Sequence, residues 1–319
     1  MDFSIQFDTQ LPAGTPVVAG FGVFDGVHHG HRLIIRTAAE MARTVGAVPA
    51  AVTFVPHPRA VIPGGRAPEA IVSVPERLRL LRQAGAEITG VIDFTPGFCA
   101  MEPEDFLEAL LHCPDVKIAG ICVGEDWRFG KQGKGDARLL EVFAAKHGLL
   151  FKAVKRLELD GVNISSSVIR ERAGAGDLAG AAEILGRDLT LSGCVEAGFR
   201  VAGAQLNAPT ANLRLDHGLL VPDGVYAGAA EAEGAVYPAV LNIGLSPTYN
   251  VNTRRIEVHL LDFSGVLYGK NLKVTLFEYL RQERKFPTPA ELKEQIIKDI
   301  ANTAAVYQRR LHSGGMKND

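Results

Sequence analysis

Two histidines before a predicted helix are the side chains of this sequence best placed to do chemistry. His28 and His31 lie in the glycine-rich stretch Gly22-Val-Phe-Asp-Gly-Val-His-His-Gly-His31. Their spacing places both imidazoles on one face of a first helical turn. The free backbone N–H groups of such a turn attract anions. Two imidazoles at this position therefore favour binding of the phosphates of a nucleotide.

The flanking sequence predicts the elements that hold these histidines. An apolar run over residues 17–21 predicts a buried strand, and residues 33–42 predict a helix. A single histidine near a helix start more often caps the helix, but flanking glycines and an aspartate at a strand–turn–helix junction favour phosphate binding. The His-x-Gly-His spacing is the pattern of nucleotidyltransferases. The candidate nucleotide-binding residues beside the two histidines are Gly22, Phe24, Asp25 and Gly30.

A second cluster of polar side chains lies in Ile164-Ser-Ser-Ser-Val-Ile-Arg170. A serine here can simply cap a helix over residues 168–173. Arg170 would then occupy the first turn, where a cation is unfavourable unless an anion is bound. We therefore predict that Arg170 and the hydroxyls of the three serines hold the β- and γ-phosphates of a nucleotide. These serines are Ser165, Ser166 and Ser167.

The loop Gly124-Glu-Asp-Trp-Arg-Phe-Gly130 directly follows a predicted strand. Ligands of parallel sheets bind beyond the carboxyl ends of the strands. Trp127, Arg128 and Phe129 can therefore line a pocket for a planar ring. An ordinary strand-to-helix loop with one anchoring aromatic side chain explains them equally well.

Two segments of the second half carry a candidate metal site and a candidate base. Thr210 and Asn212 lie in Pro209-Thr-Ala-Asn212 and offer oxygen ligands suited to Mg²⁺, although a polar turn is the simpler interpretation. In Arg255-Ile-Glu-Val-His-Leu-Leu-Asp262, polar and apolar residues alternate as in a strand. Glu257 is a candidate general base, although most carboxylates on a barrel strand are merely solvated.

The order of the predicted elements indicates two domains. In the first half strands alternate with helices, which is typical of a parallel sheet covered by helices on both faces. From residue 189 onward, short strands predict a small barrel with a tight hairpin at Glu233-Gly234. Thr288, Pro289 and Glu291 predict the start of a final helix. We expect a domain boundary near residue 187, with limits 1–187 and 188–319. The predicted strands span residues 17–21, 48–54, 90–94, 116–123, 189–197, 224–231, 235–243, 256–263 and 272–280, and the other predicted helices span 75–84, 103–111 and 137–146.

Composition and charge narrow the class of protein. The 319 residues are 47% hydrophobic and 22% charged, with a net charge of −2. These values indicate an ordinary globular protein and disfavour a nucleic-acid partner. No signal peptide or membrane span is recognisable, and the 4 cysteines form no C-x-x-C pair. We therefore expect a cytoplasmic protein without a zinc site. The sequence contains no P-loop motif, which excludes a P-loop as the phosphate-binding site.

Taken together, these segments resemble the bacterial bifunctional riboflavin kinase/FAD synthetase family over nearly the whole chain. In the first half the resemblance also includes Thr53-Phe-Val-Pro-His-Pro58 and Leu185-Gly-Arg187. In the second half it also includes Asp223-Gly-Val-Tyr226, Asn242-Ile-Gly-Leu-Ser-Pro-Thr248, Leu267-Tyr-Gly-Lys270 and Arg281-Gln-Glu-Arg-Lys-Phe286.

The resemblance implies an α/β fold: a Rossmann-like nucleotidyltransferase domain followed by a small antiparallel flavokinase barrel with a C-terminal helix. The barrel would phosphorylate riboflavin to FMN, with Glu257 as base while Thr210 and Asn212 hold Mg²⁺ and ATP. The first domain would transfer AMP from ATP to FMN, giving FAD and pyrophosphate. There, His28, His31 and Arg170 would stabilise the pyrophosphate. The implied flavin-binding residues are His57, Pro58, Asp126, Trp127, Arg128 and Phe129.

The sequence departs from the family pattern in three segments. Ser167 replaces a usual threonine, and Trp127 replaces a usual phenylalanine. In the phosphate loop the family reads G-R-x-L-G-F-P-T-A-N, whereas this chain has Gly203-Ala-Gln-Leu-Asn-Ala-Pro-Thr-Ala-Asn212. Ala204 removes a cation, and Asn207 and Ala208 replace Gly-Phe, so we predict weak ATP binding in the kinase half. A single-function adenylyltransferase and a non-catalytic flavin-binding protein stay open as alternatives, as does the oligomeric state.

Overall fold

The computed structural model describes residues 4–196, 210–245 and 254–313. By their contacts the residues form two compact units. The first unit comprises Met1–Pro68 and Val74–Ser166, and the second comprises Glu69–Ser73 and Ser167–Asp319. The domain limits 1–187 and 188–319 stay a prediction. In the described parts of the chain, no helix is both long and apolar enough to cross a membrane.

A six-stranded sheet forms the centre of the first unit. Its strands are β1 (Gln6–Phe7), β2 (Pro16–Phe21), β3 (Val48–Val55), β4 (Ile88–Asp93), β5 (Lys117–Gly124) and β6 (Leu150–Val154). In space they follow the order β1-β4-β3-β2-β5-β6. Strand β1 is antiparallel to β4, and all other pairs are parallel. Strands β2 and β3 are buried almost throughout, as expected for a parallel sheet with both faces covered.

Among the described residues of this unit, six α-helices accompany the sheet, and the four longer ones confirm the predicted helices. They are α1 (His29–Thr44), α2 (Pro58–Val61), α3 (Val74–Gln83), α4 (Pro96–Cys99), α5 (Pro103–Leu111) and α6 (Ala137–His147). Helix α1 begins four residues before the predicted start, so His31 lies in its first turn. Single-turn helices such as α2 and α4 are too short to show a helical period. Two short strands, β7 (Glu158–Leu159) and β8 (Val162–Asn163), form a separate ribbon.

A closed antiparallel barrel forms the centre of the second unit. Two helices precede it, α7 (Ser166–Gly174) and α8 (Leu178–Leu185). The barrel strands are β9 (Leu189–Glu196), β10 (Ala211–Leu215), β11 (Gly224–Ala232), β12 (Ala235–Leu245), β13 (Arg254–Leu260) and β14 (Asn271–Arg281), in the spatial order β10-β13-β12-β11-β14-β9. The parallel-sheet unit and the barrel confirm the predicted fold class.

Two details of the barrel unit were predicted from local chemistry. Glu233 and Gly234 join β11 to β12 with φ of 51° and 80°, the two positive values of a tight hairpin. Thr288 caps α9 (Pro289–His312), because its hydroxyl oxygen accepts a hydrogen bond from the Glu291 backbone N–H. Helix α9 packs on the barrel with Val306 against Ala227 and Phe277.

Candidate functional site

Three loops of the first unit follow three neighbouring parallel strands. The turn after β2 carries His28, the segment after β3 carries His57, and the loop after β5 carries Trp127. Strand β2 lies between β3 and β5 in the sheet. The carboxyl ends of the three strands therefore share one edge, at the point where the strand order reverses. Such an edge is the usual ligand site of a parallel sheet.

The turn between β2 and α1 passes through left-handed backbone conformations. Phe24, Gly26 and Val27 have φ of 52°, 80° and 44°, and both Phe24 and Val27 are fully buried. Bulky residues hold a positive φ only where the surrounding packing fixes them. A Cβ on Gly22 would lie 2.7 Å from Phe24 Cε1, so glycine is required there. The packing therefore makes this turn rigid.

His28 and His31 stack face to face at the start of α1. Their ring centroids lie 3.6 Å apart, and Phe24 meets His31 edge-on at 5.3 Å. The His28 Nδ1 accepts a hydrogen bond from the His31 backbone N–H at 3.3 Å, which caps the helix. A Cβ on Gly30 would lie only 3.2 Å from His28 Cε1. Because Nδ1 is an acceptor, the proton of a neutral His28 ring lies on Nε2, so capping leaves that nitrogen as a donor.

Asp25 is buried in the same turn beside an arginine that sequence reasoning missed. Arg77 Nη2 lies 3.9 Å from Asp25 Oδ1, and both side chains are almost inaccessible to solvent. Arg77 Nη1 also donates to Thr53 Oγ1 at 3.4 Å, and Thr53 Oγ1 donates to the Val23 carbonyl at 2.8 Å. Arg77 shares the buried face of α3 with Leu80. In the sequence, Arg77 could have been recognised because it occupies a position of α3 where the helical period expects an apolar residue.

The serine segment divides between the two units. Ser165 precedes α7. Ser166 Oγ donates to the Asp25 carbonyl at 2.8 Å, so Ser166 contacts the turn between β2 and α1 that carries His28, called the histidine turn below. Ser167 and Arg170 belong to the second unit, where Arg170 Nε donates to the Glu69 carbonyl at 2.7 Å. Their grouping with His28 and His31 stays a prediction.

The aromatic side chains of the loop after β5 pack into the core. Trp127 and Phe129 stack with ring centroids 5.0 Å apart, and both contact Phe106. Trp127 also lies 6.1 Å from Phe21 at the end of β2. Phe129 is buried and Trp127 is half-buried. These rings anchor the loop to the sheet edge, and the half-buried Trp127 keeps part of its surface accessible.

The charged side chains of the same loop are exposed and paired. Asp126 accepts hydrogen bonds from the Arg156 guanidinium, which raises the pKa of Arg156. Arg128 Nη1 lies 3.3 Å from Asp136 Oδ2. Asp136 also accepts from the Leu139 backbone N–H at the start of α6, and that bond is the main cause of its lowered pKa. A ligand that uses Asp126 or Arg128 must exchange one of these pairs.

His57 has a defined local contact at the same sheet edge. Its Nδ1 accepts a hydrogen bond from the Arg59 backbone N–H at 3.1 Å, which caps α2. Pro58 follows as the first residue of that helix. The structure thus gives His57 the same capping contact that His28 makes.

A row of polar side chains crosses three neighbouring barrel strands. Asn212 on β10 pairs with Glu257 on β13, and Glu257 pairs with Asn242 on β12. The neighbours Ile256 and Val258 are buried, so the row lies on the opposite, outer face of the barrel wall. Burial raises the pKa of Glu257 above its usual value. The sequence placed Asn212 and Glu257 in candidate roles but missed Asn242, which only the strand pairing reveals.

Thr210 is half-buried and directly precedes β10. Strand β10 itself corrects the interpretation of Pro209-Thr-Ala-Asn212 as a polar turn, because Ala211 and Leu213 alternate inward with Asn212 facing outward. Ala204, Asn207 and Ala208 lie outside the described residues. Within the described part of the chain, no group of three or more His, Cys, Asp or Glu side chains is arranged to hold a metal ion.

The parallel-sheet unit has paired histidines at a helix start, and the barrel that follows has a half-buried carboxylate, Glu257, on its wall. This combination is typical of a two-domain transferase acting on nucleotides. Family models match both halves: FAD synthetase over residues 12–168 and riboflavin kinase over residues 185–307. The bifunctional riboflavin kinase/FMN adenylyltransferase of Bacillus subtilis is 35% identical, and the match covers 88% of this chain and 90% of the relative. The protein of the same description from Pseudomonas fluorescens is 33% identical over 92% and 94% of the two chains.

The chain belongs to the bifunctional riboflavin kinase/FMN adenylyltransferase family. This result confirms the predicted resemblance and the predicted role as an enzyme of FAD biosynthesis from riboflavin. Among solved structures, one titled as a macrolide-efflux protein from Streptococcus pneumoniae has a TM-score of 0.81 and 27% identity, and the match covers 93% of this chain and 96% of that one.

Proposed function

We propose that the first unit adenylylates FMN and that the barrel phosphorylates riboflavin, both with ATP as the co-substrate. The observation that carries the adenylyltransferase proposal is the stacked pair of His28, the cap of α1, and His31 in its first turn. Imidazole N–H groups at a helix N-terminus suit a triphosphate. The buried turn behind them supports precise placement of that anion.

The adenylyl transfer needs no enzyme nucleophile. A phosphate oxygen of FMN attacks the α-phosphorus of ATP, and the bond from that phosphorus to the pyrophosphate oxygen breaks. Catalysis then depends on positioning and charge stabilisation. We assign stabilisation of the leaving pyrophosphate to His28, His31 and Arg170. The proposed nucleotide-binding residues are Gly22, Phe24, Asp25, Gly30, Ser165, Ser166 and Ser167.

Flavin binding in the first unit is proposed at the loops after β3 and β5. The accessible part of Trp127 offers a surface on which a planar ring can stack. Asp126 and Arg128 are exposed at the same loop and can meet the polar edges of a flavin. His57, Pro58 and Phe129 complete the proposed set of flavin-binding residues. The Phe129 ring stacks on Trp127 and so supports it.

In the barrel, Glu257 is proposed as the general base. Its carboxylate takes the proton of the ribityl 5′-hydroxyl, the hydroxyl oxygen bonds to the γ-phosphorus of ATP, and ADP leaves. Thr210 and Asn212 fit Mg²⁺, because they offer neutral hard oxygens beside the Glu257 row rather than nitrogen or sulfur ligands. A bound Mg²⁺ would supply charge neutralisation to the phosphates.

The test is to incubate the purified protein with riboflavin and rising Mg-ATP, and to resolve FMN and FAD by chromatography. Both products are expected, with FMN formation needing high ATP because of Ala204, Asn207 and Ala208. Loss of one charge-assisted phosphate contact weakens ATP binding about 10–150-fold. FAD from added FMN, but no FMN from riboflavin even at saturating ATP, would favour the single-function alternative. No FAD under either condition would overturn the proposal for the first unit.

A further inference from the structure

We propose that Glu283 is a positioning residue of the riboflavin kinase reaction: it orients the Asn242 amide so that Asn242 Oδ1 accepts a hydrogen bond from the substrate hydroxyl next to the reacting one. This inference rests on the proposed kinase function of the barrel. It extends that function by assigning recognition of a neighbouring hydroxyl to a residue pair outside the base and the metal ligands.

Asn242 lies next to the proposed base across one pair of strands. Its Cα pairs directly with that of Glu257, and side chains of directly opposed residues share one face with Cβ atoms roughly 4.5–5.5 Å apart. Both are half-buried on the outer face of the barrel wall. Two adjacent acceptors at this spacing suit two adjacent hydroxyls of a polyol, and riboflavin carries such a chain.

Glu283 contacts Asn242 from the segment that follows β14. Asn242 Nδ2 donates to Glu283 Oε1 at 3.3 Å. A Cβ on Gly244 would lie 2.2 Å from Glu283 Oε2, so the carboxylate rests directly on the backbone of β12. An ionised carboxylate only accepts hydrogen bonds, whereas an amide has a donor side and an acceptor side. The contact therefore fixes the amide with its nitrogen toward Glu283 and leaves the oxygen as an acceptor.

The segment that carries Glu283 is anchored on both sides. Before it, Arg281 forms a bidentate pair with the buried Asp299 of α9, with Nη2 to Oδ2 at 2.7 Å. After it, Arg284 Nη2 donates to Gln295 Oε1 at 2.6 Å, and Gln295 donates in turn to Asp299. Since α9 holds both flanking arginines, the position of Glu283 is set by the fold.

A cavity of about 580 Å³ adjoins Glu283. Its lining includes the polar side chains of Asp223, Tyr279 and Gln282, together with Gly174 at the end of α7 and Gly176 just after it. A cavity of this volume accommodates a flavin-sized molecule. Its polar lining suits a hydroxylated chain.

The decisive experiment compares riboflavin with 4′-deoxyriboflavin, which lacks the hydroxyl next to the reacting 5′-hydroxyl. For the wild type we expect kcat/KM of FMN formation to fall about 10-fold with the deoxy substrate. For Glu283→Ala we expect a similar fall with riboflavin and no further fall with the deoxy substrate. Glu283→Gln should restore most of the discrimination, because its Oε1 can still accept from Asn242. Glu294→Ala, which removes an exposed carboxylate of the same unit, should behave as wild type.

Asn242→Ala provides a second route that does not depend on how Glu283→Ala folds. It should abolish discrimination by itself, and the double variant should add nothing. FAD formation from FMN monitors the first unit in every variant, and a melting curve monitors folding. Full discrimination in a folded Glu283→Ala or Asn242→Ala protein would overturn the inference. Absence of FMN from the wild type would instead overturn the kinase proposal on which it rests.

Discussion

At the scale of single residues, His28 combines a helix cap with a proposed role in phosphate binding, and two substitutions separate these roles. Asparagine keeps an acceptor for the His31 backbone N–H, whereas alanine removes it. We expect His28→Asn to change the free energy of unfolding by less than about 0.5 kcal/mol and His28→Ala to lower it by about 1 kcal/mol or more. Both should reduce FAD formation from FMN about 10²-fold, measured at saturating substrates.

Two results would contradict the proposed role of His28 and His31 in phosphate binding. If His28→Asn retains wild-type FAD formation, the imidazole serves only as a cap. Unchanged FAD formation in the double variant His28→Ala/His31→Ala would remove both residues from the proposed mechanism.

The proposed base is tested by an isosteric change. Glu257→Gln keeps the size of the side chain and its place between Asn212 and Asn242 but removes the proton acceptor. We expect FMN formation to fall about 10²–10⁴-fold in steady-state assays, with FAD formation from FMN unchanged. Glu294→Gln serves as the matched control. Undiminished FMN formation in Glu257→Gln would show that another group takes the proton.

Burial also sets the reactivity of the cysteines. Cys122 lies within β5, and desolvation raises its pKa to about 12. Cys113 is buried too, whereas Cys99 and Cys194 are partly exposed. We expect a maleimide at about pH 8 to label Cys99 and Cys194 in the folded protein, and to leave Cys122 unlabelled even at about pH 10, where its thiol is still protonated. Peptide mass spectrometry with and without denaturant measures this, and rapid native labelling of Cys122 would contradict it.

At the scale of elements, the contact of α9 with the barrel contains an unsatisfied polar group. Thr303 is fully buried, and its hydroxyl has no hydrogen-bond partner among the described residues. Replacing a buried unpaired hydroxyl by a methyl group removes its desolvation cost. We expect Thr303→Val to raise the free energy of unfolding by about 1 kcal/mol, with Thr303→Ser as the control that keeps the hydroxyl. Denaturant unfolding measures the sign of this change in the free energy of unfolding. If valine lowers the free energy of unfolding, the Thr303 hydroxyl makes a stabilising hydrogen bond in solution.

The elements also show how far the sequence alone leads. Helix α1 and the histidine turn were predictable, because glycines, apolar periodicity and histidine spacing are local signals. Helix α8 was missed because its alanine-rich run shows no polar face. Strand β10 was missed because the preceding Pro209 and Thr210 indicated a turn. Arg77, Asn242 and Glu283 were missed for a different reason. Their roles depend on partners far away in the sequence, which only the packing of α3 and the pairing of the barrel strands bring close.

At the scale of the whole molecule, the contacts predict how the chain tolerates truncation. The apolar core of the sheet lies entirely within the first unit. We therefore expect the fragment of residues 1–187 to melt cooperatively. Helix α8 contacts β9 and β14 in the full chain, so its amides should exchange quickly in the fragment.

Hydrogen exchange followed by mass spectrometry compares the fragment with the full chain. Equal protection of residues 178–185 in both would show that α8 does not need the barrel. A fragment without a cooperative melt would contradict an independent first unit, and FAD formation by the fragment would support the boundary near residue 187.

The second unit is discontinuous in sequence, since it includes Glu69–Ser73 in addition to the residues from Ser167 onward. During synthesis at about 5–20 residues per second, the ribosome releases Glu69–Ser73 several seconds before Ser167. The strands β4, β5 and β6 that complete the sheet of the first unit are synthesised in this interval, while the early segment still lacks its partners. Glu69 gains its contact with Arg170 only when α7 has emerged, and its contact with Gly218 later still. Because of this order of synthesis, Glu69–Ser73 can take its place only after the later residues of the second unit have been made. A newly made chain therefore completes the first unit before the second.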